Sequence, residues 1–437
     1  MKITTLTFLA FCACVYSGTA LANDNPDKPR VIVMTDGEID DRSSMVRFLL
    51  YTNDVELQAI IETSSVYQRS GWSKDKWIQA QIDAYEQVYP NLVVHDSAYP
   101  TANELRSKLY VGDEDPDHLV VDRNSPRRLP GMDPVIDPAD WPDTPGSDKI
   151  VEILLDDDPR PVHLQAWGGG NTAARAFYKL KTQYPDQYER AVAKVVMYHI
   201  WYQDGAGHYI ERHHPGVTML LCHYFDGTWN YGSQRYTYRL VEERIRKNHG
   251  PLGALYPQDY ISEGDSPAFL YSIANGLRSH EDPAYGGWGG RFYRVYGNVY
   301  RDVSKASYWQ WVEHANRDFE ARMKWCISPG YEEGNHVPVI RLSAQDLTVR
   351  SGEPVALEAE ISDPDGQQCS VLWWQDKEAG TYESMIHTSD TRDRVIRFVA
   401  PVVTRPSTIH LIVEATDRGS PALTAFRRII VTVLPAQ

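Results

Sequence analysis

One run constrains this chain more than any other: Val31-Ile32-Val33-Met34-Thr35-Asp36-Gly37-Glu38-Ile39-Asp40-Asp41-Arg42-Ser43-Ser44-Met45-Val46-Arg47-Phe48-Leu49. The unbroken apolar start predicts a strand buried on both faces, as in the middle of a parallel sheet. Met45, Val46, Phe48 and Leu49 then fall on one side of a helix. Between strand and helix, Asp36, Glu38, Asp40 and Asp41 lie within six positions, and only Arg42 is close enough in sequence to offset them. Carboxylates crowded in this way repel, and some take up protons unless a cation sits among them. A solvated turn with Asp40 or Asp41 capping the helix is the plainer reading. The buried strand favours a site, because α/β proteins bind ligands at the carboxyl ends of parallel strands.

The following residues repeat the pattern. Apolar runs at 55–61, 161–166, 194–200 and 217–222 predict strands, and residues 72–89, 98–112, 146–155 and 173–180 predict helices. Strands alternating with helices indicate an α/β fold with a mostly parallel sheet flanked by helices. Residues 113–144 are rich in Asp and Pro with few periodic apolar positions, and are expected to cover the site. Residues 306–325 predict a long helix with Tyr308, Val312, Ala315, Phe319 and Met323 on one stripe, closing the first domain. Beyond a polar joint at 330–336 the period changes to two: Val355, Leu357, Ala359 and Ile361 alternate with polar or small neighbours. Short strands over the rest of the chain predict a smaller all-β, Ig-like sandwich. The expected division is a signal peptide at 1–22, an α/β domain at 23–333 and a sandwich at 334–437.

Lys2, an apolar run over 6–15 and Ala20-Leu21-Ala22 read as a cleaved secretory signal, with the mature chain starting at Asn23 in the periplasm or outside the cell. No membrane span is expected. Net charge is −15, which argues against a nucleic-acid polymer or an anionic membrane as partner. Past the signal only Cys222, Cys326 and Cys369 remain, too few for a disulfide framework but enough for one pair, Cys222 with Cys326.

The chemistry is expected where strand ends meet: residues 36–41, 63–65, 167–171 and 203–204, joined by the acidic turn Glu263-Gly264-Asp265. If they converge, Asp36, Asp41 and Asp265 offer carboxylates and Trp167 a backbone carbonyl. Such an oxygen-only set suits Ca²⁺ or Mg²⁺ and not zinc, with Asp40 facing a ligand hydroxyl or the ion's outer shell. Asn171, Asp204, Glu263, Trp288 and Arg291 are candidate substrate contacts. Trp288-Gly289-Gly290-Arg291 reads equally as a structural loop or as a stacking and hydrogen-bonding place for a sugar. Trp167-Gly168-Gly169-Gly170 reads equally as a tight turn. His213-His214 is expected to be a surface pair, and of Trp373-Trp374 at most one is expected to be exposed.

The run Thr35–Asp41 resembles the aspartate-rich N-terminal signature of nucleoside hydrolases. With Trp167-Gly168-Gly169-Gly170-Asn171, Glu263-Gly264-Asp265-Ser266-Pro267 and Trp288-Gly289-Gly290-Arg291-Phe292, nearly the whole mature chain resembles a bacterial family often labelled cellulose-binding proteins. Those proteins join a nucleoside-hydrolase-like domain to an Ig-like sandwich. The resemblance implies Ca²⁺ ahead of Mg²⁺, with Asp36 as ligand and general base, Asp41 and Asp265 as ligands, and the Trp167 carbonyl as a further ligand. Asp40 would hold the water or the sugar, making Asp36 and Asp40 the catalytic pair, and Asn171 falls near a sugar-side amide. The chain departs from the nucleoside-hydrolase pattern at Met34, at Glu38 and at Gly264, where a histidine often stands. Glu263, Asp204 and His208 are the candidate replacements for that histidine as proton donor. The expected function is an exported metal-dependent glycosyl hydrolase acting on an N-glycoside or small furanoside through a metal-bound water. The alternative is a non-catalytic carbohydrate-binding protein that keeps the fold. The expected partner is a small sugar, nucleoside or oligosaccharide, with a polysaccharide and a homodimer also open.

Overall fold

Strand β1 (Arg30–Thr35) is buried along its whole length, as its apolar run requires. The computed structural model describes residues 28–119, 136–225, 241–257 and 263–437, so the signal at 1–22, the middle of the 113–144 cover and the start of the acidic turn at 260–262 lie outside the described residues. β1 is followed by α1 (Ile39–Leu49), β2 (Glu56–Glu62), α2 (Trp77–His95), α3 (Ala102–Arg106) and β3 (Leu109–Val111). Then come α4 (Pro145–Leu155), β4 (Val162–Ala166), α5 (Asn171–Gln183), α6 (Pro185–Ala193), β5 (Val195–Ile200), α7 (Ala206–His213) and β6 (Thr218–Cys222). Two short helices, α8 (Gly250–Ala254) and α9 (Ser266–Ser272), precede a hairpin, β7 (Phe292–Tyr296) and β8 (Val299–Asp302), and α10 (Ala306–Trp325). The eight strands form one sheet in the order β3-β2-β1-β4-β5-β6-β8-β7, with only the β7–β8 pair antiparallel. Each sheet face carries its own apolar layer. Val31 and Val33 join α1, α2, α9 and α10 on one side, while Ile32 and Met34 join α4 and α5 on the other.

The predicted α/β architecture with a mostly parallel sheet stands, and three local expectations are corrected. Residues 98–112 are not one helix. Thr101 and Glu104 cap a single short helix, and Leu109–Val111 pair with Ile60–Glu62 as the edge strand β3. Backbone hydrogen bonding to β2 outweighs the local helical pattern there. Cys222 and Cys326 are free thiols: Cys222 Sγ lies 3.0 Å from the Tyr308 hydroxyl, and Cys326 Sγ bonds its own helix at the Arg322 carbonyl. His214 is not at the surface but fully buried, its Nδ1 2.8 Å from the Tyr188 hydroxyl. Helix α6, started by Pro185, and the β7–β8 hairpin were not expected.

The C-terminal residues form two sheets, β10 (Asp346–Arg350), β15 (Thr424–Leu434), β14 (Ser407–Thr416) and β12 (Ser370–Gln375) against β13 (Val395–Val399), β11 (Pro354–Ser362) and β9 (Val339–Leu342). Along β11 the alternate residues Val355, Leu357, Ala359 and Ile361 point inward, as their period of two demands. Trp373 fills this core, whereas Trp374 turns the other way and packs on Trp311 of α10 at 5.9 Å. It therefore belongs to the domain junction.

Arg291 belongs to the same junction, and this corrects its assignment as a substrate contact. Its Nη2 donates to both Asp376 oxygens at 2.8 Å, while Arg428 Nη1 lies 3.0 Å from Asp376 Oδ2. All three side chains are at most 5% exposed. Arg428 also donates to the Leu277 and Tyr285 carbonyls of the first domain. Removing one partner of a buried ionic group strands the others. Asp376→Ala is therefore expected to destabilise the protein by about 3–5 kcal/mol in denaturant unfolding; a loss below about 1 kcal/mol, the range of an exposed pair, would contradict this account.

Candidate functional site: a buried carboxylate cluster at the sheet edge

The carboxyl ends of β1, β2, β4 and β5 converge through hydrogen bonds between the turns that follow them. Thr63 N–H donates to the Thr35 carbonyl at 2.8 Å, Trp167 N–H to the Met34 carbonyl at 2.9 Å and Gly169 N–H to the Ser64 carbonyl at 3.1 Å. Val66 N–H donates to the Gln203 carbonyl at 2.9 Å. The Trp167–Gly170 turn must be glycine where it crosses Asp36, because a Cβ on Gly168 would lie 2.7 Å from the Asp36 carboxylate.

At this edge Asp36, Asp40, Asp41 and Asp265 form a buried cluster of carboxylates. Asp41, in the first turn of α1, folds back to accept from the Thr35 hydroxyl and from Asp36 N–H at 3.2 Å. Asp36 Oδ1 accepts from Glu38 N–H at 3.2 Å, which draws this carboxylate into its own turn. Oxygens of Asp40, Asp41 and Asp265 lie within 4.8 Å of one another. The expected arrangement put Asp36 in that trio and Asp40 outside it; here Asp40 completes the trio and Asp36 stands beside it. A Cβ on Gly264 would meet Asp40 Oδ2 at 2.7 Å, so glycine there leaves room for the Asp40 carboxylate where it stands.

Electrostatics mark the cluster as uncompensated. Burial, and then the charges of Asp36 and Asp40, push the Asp41 carboxyl well above its ordinary range. Burial followed by Asp41, Asp40 and Asp36 does the same to Asp265. Asp36 is raised to about 6 by burial, against the lowering effect of the Ser65 hydroxyl, Asp41 and the Glu38 N–H. Asp36 Oδ2 and Asp265 Oδ2 are buried without a hydrogen-bond partner. Buried anionic oxygens left unpaired are expensive, and a hard cation is the natural partner of an oxygen-only set. The residues present fit a divalent ion of that kind.

The other expected contacts are largely committed elsewhere. Asp204 accepts from the N–H groups of Gly170, Asn171 and Ala206 at 2.7, 2.9 and 2.8 Å, so it pins the glycine turn from beneath and is not free for substrate. Glu263 is fully buried against Arg47 Nη1 at 2.7 Å and accepts from the Tyr256 and Ser266 hydroxyls, which corrects its reading as a substrate contact or proton donor. Asn171 accepts from Thr63 Oγ1 at 2.7 Å and donates to the Asp113 carbonyl at 3.1 Å, tying strand ends together from a fully buried position. The Trp167 carbonyl accepts from the Gln203 amide, which leaves it one lone pair. Trp288 is 4% exposed with its Nε1 unpartnered, and its loop lies on α9, where a Cβ on Gly289 would meet the Pro267 carbonyl at 2.4 Å. His208 sits on α7 with its ring edge-on to Tyr202 at 5.0 Å.

Two features were missed. Arg42 stacks on Trp72 at 4.3 Å and donates to the Gly37 carbonyl, building an aromatic wall beside the acidic turn. Glu62, the last residue of β2, pairs in register with Thr35, so both point to the α1 side of the sheet. It is 3% exposed with Oε1 unpartnered, and burial, followed by the charge of Glu114, raises it to about 7. An acid closing an otherwise apolar strand run was the visible signal.

Residues 30–292 match the family model described as "Cellulose-binding Sde182, nucleoside hydrolase-like domain", and residues 354–433 match "Cellulose-binding protein Sde0182, C-terminal domain". A solved nucleoside hydrolase-related hypothetical protein from Saccharophagus degradans, described as associated with carbohydrate metabolism, is 30% identical, with a TM-score of 0.81 over 93% of this chain and all (100%) of that one. Domains 4 and 5 of the S-layer protein SbsC (14% identity, 22% of this chain, 53% of that one) and a chimeric titin Z1Z2 (19%, 23% and 98%) have TM-scores of 0.16, too low to carry an argument. No curated protein matches the chain. With the parallel sheet and the order of its motifs already established, the chain belongs to the Sde182 family, a nucleoside hydrolase-like α/β domain followed by that family's C-terminal domain.

Proposed function

We propose that this protein is an exported hydrolase of a glycosyl bond in a small furanoside or N-glycoside, working with a bound divalent ion, Ca²⁺ ahead of Mg²⁺. The observation that carries the reading is the gathering of Asp36, Asp40, Asp41 and Asp265 at one sheet edge with two carboxylate oxygens buried and unpartnered. Asp40, Asp41 and Asp265 would hold the ion, with Asp36 and the Trp167 carbonyl at its border. Bound there, a hard cation supplies the missing positive charge, binds ligand hydroxyls and acidifies water.

The chain's own groups divide the remaining work. Asp36 takes the proton of the attacking water at Oδ2, since Oδ1 is held by the Glu38 N–H. The carboxylates around it stabilise positive charge that grows on the sugar as the bond breaks. Glu62 gives the leaving group its proton. It is protonated near neutral pH and unpartnered, whereas Asp204 and Glu263 are held by structural bonds. The basic, apolar and Ala20-Leu21-Ala22 features of the N-terminus support export. Among the described residues no helix is long and apolar enough to cross a membrane.

A second reading, carbohydrate binding without turnover, is favoured by the family's description as cellulose-binding. Its ligand would be a polysaccharide. Co-sedimentation with cellulose, run beside a hydrolysis screen of nucleosides and p-nitrophenyl furanosides, separates the two. Sedimentation with no hydrolysis in Ca²⁺ selects the second.

The first reading is tested on the ion and on turnover. Ca²⁺ at a hundredfold excess over its Kd should add about 2.7 kcal/mol of stability and raise the unfolding temperature. Asp265→Asn and Asp41→Asn should each lose that response, and a retained response in both removes the proposed ion site. In the hydrolysis screen Asp36→Ala should lower kcat by roughly 10²–10⁴-fold. Glu62→Gln should slow nucleosides by about as much while sparing p-nitrophenyl furanosides, whose leaving group needs no proton. Unchanged turnover in Asp36→Ala sinks its assigned role, and equal loss on both substrate types sinks that of Glu62.

A further inference from the structure

Far from the carboxylate cluster, the C-terminal end of α2 meets the joint between the domains through a buried row of polar groups. His336 Nδ1 lies 2.8 Å from Asp365 Oδ1, its Nε2 lies 3.1 Å from His95 Nδ1, and His95 Nε2 lies 2.9 Å from the Ser328 carbonyl. Asp365 comes from the sandwich, His95 from the first domain, and Ser328 and His336 from the segment between α10 and β9. Both rings are at most 7% exposed. The His336 ring stacks on Tyr331 at 3.8 Å, and the His95 ring on Trp325 at 5.3 Å.

The row can be counted in protons. Its two ends, a carboxylate and a carbonyl, are acceptors, and three contacts link them through four ring nitrogens. Each contact needs one proton, so the row needs three. Two neutral imidazoles carry two, one each. With only two, one contact sets lone pair against lone pair, whichever tautomers are chosen. The third proton is satisfied by one imidazolium, or equivalently by proton sharing with Asp365. Burial holds the His95 ring below its ordinary value. The carboxylate end of the row lies beside His336, whose ring is stacked on Tyr331, and the carbonyl end beside His95.

On His95, burial and the charge of His336 act downward, while the Ser328 carbonyl, Asp365 and Glu333 act upward. After burial, Asp365, Asp363 and Asp96 act upward on Tyr331. From α10, Arg322 lies 5.6 Å from the Trp325 ring but is paired with Asp318 and Asp54. Lys324 is turned to Glu320 and the Ser420 carbonyl.

We propose that Asp365, His336 and His95 share a third proton when the domains are docked, and that its loss on raising the pH loosens this joint. The linkage has a definite sign. Above the ordinary histidine value of about 6.5 the unfolded chain binds fewer protons at these positions than the docked one. The joint's contribution is present at lower pH and is lost as pH rises through the release of the third proton.

The direct test is a nitrogen-15 NMR spectrum of the histidine-labelled full-length protein near neutral pH, with signals assigned through His95→Gln and His336→Gln. The four ring nitrogens, with the Asp365 carboxyl followed by its carbon-13 shift, should together carry three protons; two in total would overturn the proposal. A second measurement compares unfolding curves and needs only that His336→Gln unfolds cooperatively. The urea midpoint of the unaltered protein should fall between about pH 6.5 and about pH 9 more steeply than that of His336→Gln. Parallel pH dependence in the two proteins also overturns it.

Discussion

Everything at the sheet edge depends on one buried ion pair. Arg47 and Glu263 meet at 2.7 Å with neither side chain exposed at all (0% each). Arg47 also donates to the Ala315 carbonyl and to Asn316 Oδ1 of α10, and its guanidinium lies over Phe319 at 4.4 Å. A single side chain of α1 therefore holds both the 263–265 turn and the longest helix of the domain. Asp40 and Asp41 begin the helix that carries Arg47, and Asp265 follows Glu263 by two residues. The trio of carboxylates is a consequence of this anchor: repulsion alone would drive them apart. Guanidinium geometry suits the task, because its fork satisfies several acceptors at once without losing its charge.

Two kinds of buried charge coexist in the molecule, and the contrast between them is informative. At the domain junction Asp376 lies between Arg291 and Arg428, so each charge has a partner. Such matched groups set the relative placement of the domains more than they add stability. At the sheet edge four carboxylates gather around the single guanidinium of Arg42, and burial together with their mutual repulsion pushes Asp36, Asp41 and Asp265 upward. Natural folds tolerate an imbalance of that kind where a ligand completes the site.

Much of this was legible in the amino-acid order. A fully apolar strand running into Asp36-Gly37-Glu38-Ile39-Asp40-Asp41 announces both the parallel sheet and the acidic edge, because both follow from local pattern. The period-two run from Val355 to Ile361 announces the sandwich for the same reason. What stayed hidden depends on partners distant in sequence. Nothing near Arg291 points to Asp376, so a Trp-Gly-Gly-Arg loop reads as a sugar contact until its mate is seen. Glu263 looks like a site acid because Arg47, inside an apolar helix face, gives no sign of being its counter-ion. The close approach of Asp40 to the 263–265 turn depends on a sub-side-chain detail, the missing Cβ of Gly264, which no periodicity encodes. Strand β3 was lost because three residues pairing at a sheet edge carry too little pattern to outweigh a helical neighbourhood.

The strand order has a temporal consequence. β1 is made first yet lies inside the sheet, flanked by β2 and by β4, which is synthesised more than a hundred residues later. Asp265 arrives more than two hundred residues after Asp36. In a chain still emerging, Asp265 is hydrated and far from Asp36, Asp40 and Asp41. They meet only when the domain is complete. An ion of the proposed kind therefore cannot nucleate folding; it can only latch a finished domain, and it is acquired in whichever compartment folding ends.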